Sequence, residues 1–85
     1  MCRVLNQTKK CLDSYKITLG HTLTIEQCQD MCEDMAYSGR EGCCEYDTDQ
    51  EGTCKWQHQL QLQDSDENGY GALCSTRNGI YLLIL

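Results

Sequence analysis

Leu23-Thr24-Ile25-Glu26-Gln27-Cys28-Gln29-Asp30-Met31-Cys32-Glu33-Asp34-Met35 is the stretch on which the fold of this 85-residue chain turns. Ile25, Cys28, Met31, Cys32 and Met35 recur at helical spacing and form one apolar face, while Glu26, Gln29, Asp30, Glu33 and Asp34 fill the other. Thr24 and, three residues on, Gln27 spell a capping box. Together these predict a helix over about 24–35. Cys28 and Cys32 are four apart, so both project from the buried face one turn apart. That is where a helix is riveted to a sheet behind it. Ser38-Gly39-Arg40-Glu41-Gly42 breaks the helix.

Working outward, Cys43-Cys44-Glu45-Tyr46 reads as a strand and residues 47–52 as a polar turn. From Thr53 the chain alternates. Cys54, Trp56, His58, Leu60 and Leu62 fall on one face, and Lys55, Gln57, Gln59, Gln61 and Gln63 on the other, the pattern of a half-buried antiparallel strand. Neighbours on a strand point oppositely, so Cys43 and Cys44 require different partners, one in the helix and one elsewhere. Tyr15-Lys16-Ile17-Thr18-Leu19 reads as a strand ending at Gly20, and residues 70–74 as another. Asn78-Gly79 signals a hairpin into the apolar run 80–85. The expected fold is α+β: one helix packed on a small antiparallel sheet of about five short strands, in a single domain spanning 1–85.

Eight cysteines in 85 residues, Cys2, Cys11, Cys28, Cys32, Cys43, Cys44, Cys54 and Cys74, far exceed ordinary usage. So short a chain buries too little apolar surface to be secure without staples. Zinc is the rival use, but only Cys28 and Cys32 stand at a metal-ligand spacing, and they lie in the helix rather than in a knuckle. Four disulfides are therefore expected, and with them an oxidising, secreted or extracellular setting. Asn6-Gln7-Thr8 also fits the N-glycosylation sequon. No apolar leader precedes Cys2, so an exported chain reads here as a mature form. The run 80–85 is too short to span a bilayer, and no membrane insertion is expected.

Three segments together resemble the PAN/apple domain: residues 23–32, Cys44-Glu45-Tyr46-Asp47, and Gly52-Thr53-Cys54-Lys55-Trp56. That family has a helix with C-x₃-C, an acidic-aromatic strand opened by a cysteine, a turn, and a Gly-x-Cys strand. The resemblance covers roughly residues 11–56, with Cys74 as a closing cysteine. It implies a helix on a curved antiparallel sheet. It also implies bridges from Cys28 to Cys54, from Cys32 to Cys44 or Cys43, and from an early cysteine to Cys74. An extra bridge would then join whichever of Cys2 and Cys11 is left to the remaining member of the doublet. The doublet is unusual for the family, and the glutamine-rich strand matches none of its motifs. PAN/apple domains typically bind proteins or carbohydrates and have no catalytic role.

The formal charge is −6, from 13 acidic and 7 basic residues. Arg3, Lys9, Lys10 and Lys16 lie near the N-terminus, and acidic residues crowd the second half. Nucleic acid, which needs a basic footprint, is disfavoured as a partner. Two turns carry calcium-loop spelling, Asp47-x-Asp49-x-Glu51-Gly52 and Asp64-x-Asp66-x-Asn68-Gly69. Each lacks the bidentate Glu at position 12, where His58 and Ser75 stand, and the same residues are favoured in plain polar turns. Calcium, held by Asp64, Asp66 and Asn68, is the one metal kept open. No cofactor is otherwise expected. His21, His58 and the serines stand in no triad context, so no enzyme is expected. Trp56, Tyr46, Tyr70 and Tyr81 read as sheet core. The face of Gln57, Gln59, Gln61 and Gln63, rich in paired donors and acceptors, is a candidate binding face.

The expected function is a secreted, non-enzymatic interaction module whose partner is an extracellular protein or glycan. A free-standing cysteine-rich signal, toxin or effector and a small calcium-binding protein are the alternatives. The sequence leaves the oligomeric state open.

Overall fold

A computed structural model describes residues 1–49, 51–65 and 69–75. In chain order the elements are β1 (Lys9–Cys11), β2 (Ile17–Gly20), α1 (Ile25–Tyr37), β3 (Gly42–Asp47), β4 (Thr53–Gln57), β5 (Leu62–Asp64) and β6 (Gly69–Cys74). β2, β4, β3 and β6 form a four-stranded antiparallel sheet in that order, and β1 pairs with β5 as a separate two-stranded ribbon. Among the described residues the fold is α+β, with one helix, small antiparallel sheets and four disulfides.

The helix starts where its caps dictate. Thr24 is extended (φ −80°, ψ 165°) and accepts from the Gln27 backbone N–H at 3.1 Å, while Gln27 Oε1 accepts from the Thr24 N–H at 2.8 Å. Two of the first-turn donors that an α-helix leaves unpaired are thereby satisfied. Cys28, Cys32 and Ala36 form its buried line.

The helix covers one face of the sheet and the N-terminal segment covers the other. In register, Cys44 lies opposite Trp56 and Ala72, and Tyr46 opposite Cys54 and Tyr70. These residues share the helix side with the core. On the reverse side Cys43 lies opposite Gln57 and Leu73, and Glu45 opposite Lys55 and Gly71. β1 crosses here so closely that a Cβ on Gly71 would stand 2.8 Å from Lys10 Cα and 2.9 Å from the Lys9 carbonyl oxygen. Only glycine permits that approach. The β3–β4 turn ends at Gly52 with φ +79°, again a glycine conformation, and there the Leu23 N–H donates to the Gly52 carbonyl.

Residues 1–6 run antiparallel beside β6. The Arg3 N–H donates to the Leu73 carbonyl, and Asn6 and Gly71 exchange hydrogen bonds of 2.9 and 3.0 Å. This strap closes the outer edge of β6, an edge that would otherwise offer unpaired backbone groups.

Two expectations change. The alternating strand does not continue to Gln63. It ends at Gln57, because the pairing of β3 runs out at Cys43 opposite Gln57 and that of β2 at Ile17 opposite Trp56. His58, Gln59, Leu60 and Gln61 are exposed, and the chain pairs again only as β5, with β1. The ribbon strand Lys9–Cys11 is the second change: residues 1–20 carry a strand more than the alternation of 15–19 indicates. Asn78-Gly79 and the run 80–85 lie outside the described residues.

Candidate functional site

The eight cysteines form four bridges, Cys2–Cys74, Cys11–Cys43, Cys28–Cys54 and Cys32–Cys44. The doublet splits across the sheet. Cys44 reaches the helix, and Cys43 reaches Cys11 of β1 on the other face, as opposite side-chain directions require. The two helix bridges pack together, with Cys28 Sγ 3.8 Å from Cys44 Sγ and Cys32 Sγ 3.9 Å from Cys54 Sγ. Among the described residues this is the only group of Cys, His, Asp and Glu close enough to share an ion, and all four of its sulfurs are in disulfides.

A cleft of about 310 Å³ opens where the strap lies against the helix. Val4 and Leu5 form one wall, and Ile25, Glu26, Gln29 and Asp30 the other. Leu5 is buried in its floor, whereas Val4 is 85% exposed at its lip. Three contacts fix the strap. The Cys2 N–H donates to Glu33 Oε1 at 2.7 Å, Gln29 Nε2 donates to the Arg3 carbonyl at 3.2 Å, and Cys2 is bonded to Cys74. The terminal ammonium adds bonds to the Ser75 carbonyl and Glu33. These contacts hold the strap against the helix. Glu26 and Asp30 are exposed on the rim and make no ion pair among the described residues.

The glutamines do not share one face. Gln57 is 2% exposed: its Oε1 accepts from the Leu12 N–H at 3.2 Å, and its Nε2 donates to the Leu12 carbonyl and Ser14 Oγ. Gln59 Oε1 accepts from Ser14 Oγ, and Gln63 Nε2 donates to the Cys11 carbonyl. These three side chains tie residues 11–14 to the second half of the chain, whereas Gln61 is an exposed loop residue.

Asp64 pairs with Lys9 across the ribbon, and Asp66 and Asn68 lie outside the described residues. The hydrogen bond and charge of Lys9 lower the Asp64 pKa from its ordinary value. Asp13 is lowered first by a hydrogen bond from Gln63 and then by the charge of Lys10. In the other acidic turn Asp47 Oδ1 accepts from the Asp49 N–H at 2.9 Å, an ordinary Asx turn.

His21 Nδ1 lies 3.2 Å from Thr53 Oγ1, and His58 Nδ1 3.4 Å from Trp56 Nε1. Trp56 is fully buried, and the Tyr46 and Tyr70 rings lie 6.2 Å apart at 48°. The Tyr46 hydroxyl donates to the Leu23 carbonyl at 2.6 Å. Tyr81 lies outside the described residues.

Sequence reasoning missed the cleft. Val4-Leu5 shows as an apolar patch, and Ile25 shows as part of the helix's apolar face. Nothing local says that the strap stops short of covering Ile25, because that depends on the Cys2–Cys74 bridge. No family model, curated protein or solved structure matches the chain.

Proposed function

We propose that the chain is a secreted, non-enzymatic interaction module that takes an apolar side chain of a partner protein into the cleft between Val4-Leu5 and α1. The supporting observation is the cleft itself, with apolar walls, an acidic rim at Glu26 and Asp30, and a strap locked by a disulfide. Pre-formed, mostly apolar clefts with a few fixed polar groups are the usual form of binding sites. The rim favours a partner segment carrying Lys or Arg beside the buried residue, since complementary charge speeds encounter and fixes register. The apolar lining favours protein over glycan. Four bridges suit an oxidising, extracellular setting.

Panning a random peptide library against the oxidised chain tests this. The expected outcome is enrichment of peptides with an apolar residue flanked by basic ones, lost when Ile25→Lys fills the cleft with the wrong charge. Enrichment that survives Ile25→Lys contradicts the site. Saturable binding on a glycan array, with no peptide selected, replaces the protein partner with a carbohydrate.

A further inference from the structure

Asn6, Gln7 and Thr8 form the turn between the strap and β1, and all three are exposed. The Asn6 carbonyl accepts from the Lys9 N–H at 3.1 Å, closing a β-turn with Asn at its first position, where Asn is favoured. The Asn6 side chain is oriented by two further bonds. Its Oδ1 accepts from the Thr8 N–H at 2.9 Å and from Thr8 Oγ1 at 2.9 Å. A backbone N–H can only donate, so the atom facing Thr8 is the carbonyl oxygen. The amide nitrogen Nδ2 is then the free end, with no partner among the described residues. On both sides the backbone is pinned, by the Asn6–Gly71 exchange and by the Ser65 N–H donating to the Thr8 carbonyl.

We infer that Asn6 is a modification site carrying an N-linked oligosaccharide. Substitution at Nδ2 leaves both Oδ1 hydrogen bonds and the turn intact, and it places the sugar in solvent. The donor is a lipid-linked pyrophosphoryl oligosaccharide of the secretory pathway. The bond formed joins Nδ2 to the anomeric carbon, the bond broken joins that carbon to a phosphate oxygen, and one amide proton leaves to the transferase. The triplet has the required Asn-x-Thr spelling with no proline. The fold adds what spelling alone lacks, an exposed side chain whose Oδ1 is the bonded end.

The inference rests on the export of the chain, so the test supplies export separately. The full chain is placed behind a cleavable leader in a eukaryotic secretory host, and in parallel translated with microsomes. A single mass increase is expected, removed by peptide-N-glycosidase with conversion of Asn6 to aspartate. It should vanish in Asn6→Gln and Thr8→Ala and persist in Thr8→Ser. An exported chain with four intact bridges and unmodified Asn6 overturns the inference. So does an unshifted wild-type chain in microsomes, a readout that holds even if a variant fails to leave the cell. Because the leader forces export, either failure counts against Asn6 and leaves the compartment to be judged on its own.

Discussion

Among the described residues Trp56 is the largest side chain the fold buries completely, and it belongs to the core cluster with the helix cysteines. Replacing it with alanine should cost about 3–5 kcal/mol, the range for deleting a buried aromatic. Denaturant unfolding of the oxidised protein reads this directly, and a loss under about 1 kcal/mol would show that the disulfides hold the fold without a packed centre. Gln57 makes the complementary case. Its buried amide pairs with both the N–H and the carbonyl of Leu12; the carbonyl also accepts from the Ser14 N–H, so Gln57→Ala strands the Leu12 N–H and should cost about 1–3 kcal/mol. Trp56 was legible as core from alternation. Gln57 was not, since polar residues on the far face of a strand normally meet water. Here that face is covered by residues 9–14, brought there by the Cys11–Cys43 bridge. Burial of a polar residue depends on a distant segment, and local pattern carries no trace of it.

At the scale of elements, α1 was almost fully readable, because caps and periodicity are local. Thr24→Ala removes the cap oxygen and should destabilise by about 1 kcal/mol, read by the same unfolding curve. β4 was readable at its start but not at its end. Alternation runs on to Gln63, yet a strand persists only as far as its neighbours pair with it, and β2 and β3 stop at Trp56 and Gln57.

The β1–β5 ribbon carries a pH dependence of definite sign. Asp64 and Asp13 both lie below their ordinary value of 3.8, through Lys9 for Asp64 and through Gln63 and Lys10 for Asp13. A carboxylate lowered on folding stabilises fully above its unfolded value and loses that contribution as pH falls through the folded one. The ribbon should therefore be intact at pH 5 and loosen first as pH drops below about 3.8. Both groups are exposed, so the effect is small and local. Amide exchange, corrected for its intrinsic pH dependence, should show protection at Lys10 and Gln63 falling before that of the Cys44–Trp56 pairing. Simultaneous loss would contradict the assignment.

For the whole molecule, the bridges set the architecture. They close loops of 72, 32, 26 and 12 residues by sequence separation. Chain-entropy reasoning gives about 4.4 kcal/mol for the longest taken alone and about 2.8 kcal/mol for the shortest, though nested loops do not add. Each value is a large fraction of the roughly 5–15 kcal/mol that stabilises an ordinary domain. Replacing Cys2 and Cys74 together by alanine should release the strap, lower stability by a few kcal/mol, and abolish the binding proposed for the cleft while leaving α1 on its sheet. The even cysteine count, the one-turn spacing of Cys28 and Cys32 and the opposite directions of Cys43 and Cys44 were all visible in the sequence. Which early cysteine reaches Cys74, and which member of the doublet reaches the helix, was not, because those choices follow from the path of the strap along β6 and from the register of β3.

The disulfide map of the oxidised protein tests this account most directly. Proteolysis cannot separate the adjacent Cys43 and Cys44 cleanly, so stepwise reduction with alkylation before mass spectrometry is the suitable method. The map should give Cys2–Cys74, Cys11–Cys43, Cys28–Cys54 and Cys32–Cys44 with no free thiol. Free thiols, or Cys28 joined to any residue but Cys54, would contradict both the fold and the cleft built on it.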